Sequence, residues 1–304
     1  MDHYFVNKQF ISNQTLLIKK DNSSVFNELI ISWKAKRPIN GAYYIYVRIK
    51  TDNWSSWFLY ATWDSHFQKS NSFKENDIRI NQDCIEIING KIASGYNVKI
   101  EAKDGAKINE LQSIHVCPSN LSLKANKDKL NHKSSSTLKL EGLSQFMLVT
   151  QDRDRLCSPT STTCVVNYLT KQQMTDPIHF AKMSYDMTCD VYGNWVFNVA
   201  HANSLLIDSK QLIWVQRLKS FQPILDNLEK ELPTVISVRG PLNGSAQPYK
   251  EGHLMVVIGY DYEKKEVICM DPAFETNIKT VTRYTLESLL KAWDRRGKLA
   301  FVVH

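Results

Sequence analysis

No stretch of the 304 residues stays apolar over the ~20 positions that a bilayer-spanning helix needs, so no membrane crossing is expected. The opening Met1-Asp2-His3-Tyr4 lacks a basic segment followed by an apolar one. No secretory signal is read there, and the compartment stays open. A glycine motif that would cradle phosphate is missing. Cysteine is sparse, and Cys84, Cys117, Cys157, Cys164, Cys189 and Cys269 include no Cys-x-x-Cys pair. A disulfide scaffold is excluded at this length, leaving reduced thiols of which one is open to reactivity. His253 and Cys269 stand too isolated to propose a metal site. The 38 basic and 31 acidic residues leave a net charge of +7. The lysines scatter, densest between Lys124 and Lys139, and form no aromatic-interleaved basic stripe, so nucleic acid is not an expected partner.

What is present is the composition of a soluble globular protein, 43% apolar and 23% charged. At roughly 150 residues per domain the length predicts two domains. Over 1–117 the pattern is β. Tyr43, Ile45, Val47 and Ile49 alternate with Tyr44, Tyr46, Arg48 and Lys50, and Tyr96, Val98, Ile100 and Ala102 alternate again. Turn signals at Pro38–Gly41, Asn89-Gly90 and Asp104-Gly105 separate short strands, as in an antiparallel sandwich. The tryptophans between Trp54 and Trp63 read either as inter-sheet core or as a carbohydrate or peptide platform. From 118 to 142 the pattern dissolves into Asn, Lys and Ser, a polar linker.

Over 143–304 helical and strand signals alternate. Helices are predicted at Pro159–Lys171, Phe221–Leu232 and Leu286–Trp293, and strands at Thr234–Val238, Leu254–Tyr260, Val267–Met270 and Leu299–Val303. The whole is an α+β arrangement.

The stretch Arg155-Leu156-Cys157-Ser158-Pro159-Thr160-Ser161 puts Cys157 immediately ahead of a helix whose first turn suits Pro159. Unpaired N–H groups and the positive end of the helix dipole favour a thiolate there. A buried structural cysteine is the plain alternative, and Cys164, two turns on, reads as core. A nucleophilic cysteine needs a base, an orienting partner and an oxyanion donor. His253 opens an apolar strand beside Gly252, a glycine that leaves room for substrate, and Asp271 ends the next strand. If the two face each other directly, the hairpin closes at Tyr262, with a bulge or a diagonal contact as the other route. Asp261 is the competing acid. Trp195 with Asn194, and the loop Arg239–Gly244, read either as cleft walls or as plain core and turn.

Cys157-Ser158-Pro159-Thr160-Ser161 with Val165-Val166-Asn167-Tyr168-Leu169 resembles the nucleophile helix of bacteriocin-processing-type, double-glycine peptidase-like members of the papain-like cysteine peptidases. Gly252–Asp261 and Asp271-Pro272 are similar to that family's histidine and aspartate motifs, in the same order. Gly193–Asn198 and Leu290–Trp293 resemble a bacterial subgroup in which a β-sandwich precedes the peptidase domain; Phe26–Trp33 and Trp54–Trp57 are similar to its sandwich.

The resemblance implies a papain-like domain over 143–304, preceded by a sandwich over 1–117. It implies a Cys157-His253-Asp271 triad acting through a thioester acyl-enzyme on peptide or protein substrates, with no cofactor. Either Gln145, in a Ser-Gln motif, or Gln151, six residues before Cys157, would complete the oxyanion hole. Ser158 stands where the family usually has glycine beside the substrate, and Leu156 where it has tryptophan. A protein or glycan ligand for the sandwich, a catalytically silent module of the same fold, and a transglutaminase- or amidase-like transferase stay open as alternatives.

Overall fold

The computed structural model describes residues 1–6, 11–123, 130–131, 134–171 and 175–304. The chain forms two compact units, one of Met1–Lys124 with Met183–Ile207 and one of Ala125–Lys182 with Asp208–His304.

The first unit is a β-sandwich of two antiparallel sheets. One runs Asp2–Phe5, Leu111–Ser119, Glu28–Ala35, Cys84–Ile87, Ile78–Asn81, Phe73–Glu75; the other runs Ile11–Ser12, Thr15–Lys20, Gly95–Lys103, Ala42–Lys50, Phe58–Asp64, Gln68–Ser70. The predicted alternation is present: Tyr43, Ile45, Val47 and Ile49 are buried, whereas Tyr44, Tyr46, Arg48 and Lys50 are half-exposed. Trp33 and Trp63 are fully buried and meet edge-to-face at 6.1 Å, so Trp63 is inter-sheet core. Trp54 and Trp57 are half-buried and flank the Arg48 guanidinium at 4.7 and 5.0 Å.

The helix Trp195–Leu205 completes this unit, although the sequence reading runs the second domain unbroken from 143. Phe197 meets the ring of Trp33 edge-on at 6.1 Å, and Asn203 donates to the Trp33 carbonyl at 2.8 Å. All eight residues of Glu28–Ala35 are consequently buried. Burial on both faces explains why this strand shows no clean alternation.

The second unit is built on one antiparallel sheet ordered Ile213–Arg217, Leu299–Val303, Thr234–Gly240, Tyr249–Asp261, Glu266–Met270, Val281–Thr285. Ser136–Thr137, inside the expected linker, adds to it by pairing with Tyr260 and Gly259. Residues 124–129, 132 and 133 of that linker lie outside the described residues. The predicted helices appear as Cys157–Thr170, Gln222–Glu229 and Leu286–Asp294. The first packs on Tyr249–Asp261 with its small residues: Ser158, Thr160, Ser161, Thr162 and Thr163 are all fully buried. Short side chains allow close approach, and Ser161 Oγ donates to the Leu254 carbonyl at 3.0 Å.

The hairpin register departs from direct facing of His253 and Asp271. Asp261 pairs with Glu266 and Tyr260 with Val267, then a bulge between Val257 and Gly259 leads to Val256 opposite Met270. Continued, this register sets Asp271 beside Met255, so His253 reaches it diagonally.

Because Phe197 fills the space beside Trp33, Phe197→Ala is expected to cost about 3–5 kcal/mol, as large-to-small core changes do. Urea unfolding followed by tryptophan fluorescence measures it; a change below about 1 kcal/mol would place the helix outside the sandwich core.

Candidate active site

Cys157 is the first residue of its helix and is partly exposed, while Leu156 before it and Ser158 after it are buried. Among the described residues the Ser158 hydroxyl has no hydrogen-bond partner. His253 lies on the strand that packs against this helix, is 3% exposed, and couples electrostatically to the Cys157 thiol.

The local ladder explains how His253 is presented. Val238 pairs with His253, but Gly240 pairs with Tyr249, so Lys250, Glu251 and Gly252 all stand opposite Arg239. Such a bulge needs one residue in an unusual conformation, and Gly252 supplies it at φ +110°. A Cβ there would meet nothing nearer than 3.6 Å, so backbone conformation rather than space demands the glycine. The bulge brings the Tyr249 ring flat against the His253 ring, with centroids 4.0 Å apart and planes inclined by 13°.

Asp271 is fully buried and accepts four hydrogen bonds. Its Oδ1 accepts from His253 Nε2 at 2.7 Å and from Ala273 N at 3.0 Å; its Oδ2 accepts from Tyr249 Oη at 2.7 Å and Tyr284 Oη at 2.6 Å. With Nε2 committed to Asp271, Nδ1 is the ring nitrogen left to act on Cys157. Tyr249 and Tyr284 are site residues that sequence reasoning misses. Asp261, the competing acid, is bound instead by Arg283 at 3.0 Å near the surface.

Burial alone would neutralise every member of this group, and mutual charge reverses it. Burial pushes the Cys157 thiol up, but the hydrogen bond and charge of His253, with backbone hydrogen bonds at Leu254 and Ser158, hold it below the ordinary thiol value. Burial disfavours the imidazolium of His253, yet the Asp271 carboxylate and then Cys157 push its pKa up to about 10. Burial would raise Asp271, whereas His253, Tyr284 and Tyr249 hold it below the usual carboxylate range.

The two glutamines differ sharply. Gln145 is buried, its N–H bonding to the Pro272 carbonyl at 2.9 Å next to Asp271. Its Nε2 donates to the Arg153 carbonyl at 2.8 Å, and its Oε1 has no partner among the described residues. Gln151 is exposed. The preceding Ser144 fixes the segment, donating from Oγ to the Phe274 carbonyl at 2.5 Å and from N to Asn277 Oδ1 at 2.8 Å.

Asn194 and Trp195, read from the sequence either as cleft walls or as plain core and turn, belong to the first compact unit. Asn194 caps the helix that follows, accepting from Phe197 N at 3.1 Å and donating to buried Asp186 at 2.8 Å. Trp195 N donates to Asp83 Oδ2 at 3.1 Å, and its side chain is buried. Within that unit Asn194 serves as a helix cap and Trp195 as part of the core.

The Peptidase_C39 like family matches residues 141–301, more than half of the chain. The chain belongs to this family. The family match runs through 183–207 without a break, although that segment packs with the sandwich. Among solved structures the chain is similar to a candidate C39-like peptidase from Bacillus anthracis, at 18% identity and a TM-score of 0.43. The alignment covers 56% of this chain and 98% of that one. No curated protein matches the chain.

Tyr284→Phe removes one donor to Asp271 and is expected to cost about 1.5–3 kcal/mol, the worth of a hydrogen bond to a charged group. The depressed folded pKa of Asp271 contributes stability that is full above the ordinary carboxylate value and is lost as pH falls through the folded value. The variant raises that folded value, so acid unfolding followed by circular dichroism should begin at higher pH than in wild type. An unchanged acid limb would show that the hydroxyl does not hold the carboxylate.

Proposed function

We propose that this chain is a cysteine peptidase that cleaves peptide bonds through Cys157, His253 and Asp271. One observation carries the reading: His253 is hydrogen-bonded to a fully buried carboxylate at 2.7 Å and lies on the strand packed against the helix whose first residue is the partly exposed Cys157, with which it couples electrostatically. That arrangement supports a thiolate–imidazolium pair ready before substrate arrives.

The chemistry follows from the proton's position. The Cys157 thiolate attacks the scissile carbonyl carbon and forms the C–S bond as the carbonyl π pair moves onto oxygen. The Cys157 N–H and the second N–H of Gln145 Nε2 receive that developing charge. Collapse of the tetrahedral species breaks the C–N bond, and the imidazolium gives its Nδ1 proton to the departing amine. A thioester remains. Neutral His253 then takes a proton from water, whose oxygen attacks the thioester; the sulfur departs as thiolate as the acid is released, and the thiolate–imidazolium pair is restored. Asp271 stays ionised throughout and fixes the ring with Nε2 protonated. The burial of Gln145 and exposure of Gln151 favour Gln145 as the donor. The depressed thiol pKa argues against a silent module, which has no use for an activated cysteine.

The test is the pH dependence of Cys157 alkylation by iodoacetamide, with Cys157→Ser as the blank. Wild type should react at pH 6, and His253→Ala should shift the profile toward the ordinary thiol pKa of about 8.5. Two identical, ordinary profiles would overturn the proposal.

Once a cleaved substrate is in hand, dye-labelled casein being the first to try, Gln145→Ala should lower kcat by about 10²–10³-fold, as loss of an oxyanion donor does. Gln151→Ala should leave it unchanged. The reverse order would move the donor role to Gln151.

A further inference from the structure

The bulge that presents His253 is ringed by cations. Arg239 stands alone opposite it and donates from Nε to the Lys250 carbonyl at 2.9 Å. Arg295 reaches from the end of Leu286–Asp294 and donates from Nη1 to the carbonyls of Arg239 and Pro241, each at 3.1 Å. Its side chain lies against Gly240, where a Cβ would come within 3.3 Å of Cδ. Arg296 lies across Gly252 and donates from Nε to Ser237 Oγ at 3.2 Å. Arg239, Lys250 and Arg295 are exposed, and among the described residues none of the three has a carboxylate within ion-pair distance. The nearby acids are Glu251, exposed within the bulge, and Asp294, which pairs with Lys298 at 3.6 Å.

Backbone carbonyls therefore hold the two exposed guanidiniums in place while leaving most of their N–H donors for something else. A guanidinium offers five donors in a rigid fork that matches a carboxylate, and fixing the fork in advance removes much of the ordering cost of binding. The location narrows what that something is. Val238 is the ladder partner of His253, so Arg239 and Gly240 are the next positions outward, and Lys250–Gly252 lead directly into His253. A polypeptide lying at Cys157 and running off this end of the sheet crosses the collar.

We propose that Arg239, Lys250 and Arg295 form a docking patch for acidic residues of the polypeptide substrate. The inference rests on the peptidase reading and adds a substrate class to it: proteins carrying a cluster of Asp or Glu beside the scissile bond.

The experiment uses full-length Cys157→Ser protein, which cannot cleave, and fluorescence anisotropy of a labelled octaglutamate peptide. Octaglutamine and an eight-base oligothymidine serve as comparisons. Octaglutamate should bind more tightly than both, and Arg239→Gln combined with Lys250→Gln should weaken it at least about threefold, the scale of two exposed ion pairs. Lys250→Gln alone changes only an exposed side chain and should weaken binding in the same direction, which keeps the test sound if the double variant misfolds. Arg295→Lys keeps the charge but loses the fork, and should weaken binding relative to wild type while keeping octaglutamate ahead of octaglutamine. Equal binding of octaglutamate and octaglutamine, unchanged affinity in Lys250→Gln, or tighter binding of the oligonucleotide would overturn the proposal. Alkylation of the wild-type thiol separates the two readings. An activated thiol without octaglutamate binding overturns the patch alone, whereas octaglutamate binding beside an ordinary thiol overturns the peptidase reading and, with it, the assignment of the patch to a substrate.

Discussion

A carboxylate with no exposure to water is the constraint around which the second unit is arranged. An ionised group cannot stay in such a place unless every lone pair is answered, because an isolated buried charge costs far more than folding can supply. Asp271 meets the condition with one backbone N–H, two tyrosine hydroxyls and an imidazole. Tyr249 and His253 come from one strand and Tyr284 from another, and Asp271 follows the strand between them. Each donor must arrive at the right height, so the carboxylate ties the registers of adjoining strands to a single point. The bulge at Lys250–Gly252 is the local answer to that requirement, since only with its extra length do Tyr249 and His253 reach the same carboxylate from one strand.

The helix that carries Cys157 shows the complementary compromise. Its first two turns are buried and rich in hydroxyls, and among the described residues those of Ser158, Thr160 and Thr163 find no partner. A buried unsatisfied hydroxyl costs on the order of 1–3 kcal/mol. What the small residues supply is proximity, with the helix start brought down onto the strand that bears His253. Stability is spent where the position of a sulfur atom matters.

Cys157 and Asp271 stood out in the sequence because each sits at the end of a regular element, where periodicity stops; His253 stood out beside Gly252, although it lies inside the strand Tyr249–Asp261. The helix after Cys157 and the strand before Asp271 appear close to their expected bounds, whereas the strand expected to open at Leu254 begins at Tyr249, before the bulge. Tyr249 and Tyr284 were not legible, for different reasons. Tyr249 reaches Asp271 only through a bulge, and alternation arguments assume an unbroken ladder. Tyr284 is the one buried residue of Val281–Thr285, too little pattern to mark a strand. Gln145 and Gln151 could be separated only by burial, which depends on where the segment is pinned against Pro272 and Asn277. Asn194 and Trp195 pack with the first unit although they follow the Cys157 helix in the chain, because neighbouring positions in a chain need not share a core.

That last point bears on the order in which the protein can be made. The sandwich includes Met183–Ile207, so it is not a contiguous segment. A ribosome releasing the chain from its N-terminus has both sheets of the sandwich available early, yet Trp33 lacks Phe197 and Asn203 until residue 207 has emerged. By then the Cys157 helix has emerged too, while His253 and Asp271 have not. The sandwich must wait, incomplete, through the synthesis of 58 intervening residues from Ala125 to Lys182, several seconds at about 5–20 residues per second. The helix Cys157–Thr170 is made within that interval, whereas His253 and Asp271 follow Ile207, so Cys157, His253 and Asp271 come together only after every residue of the first unit has been synthesised.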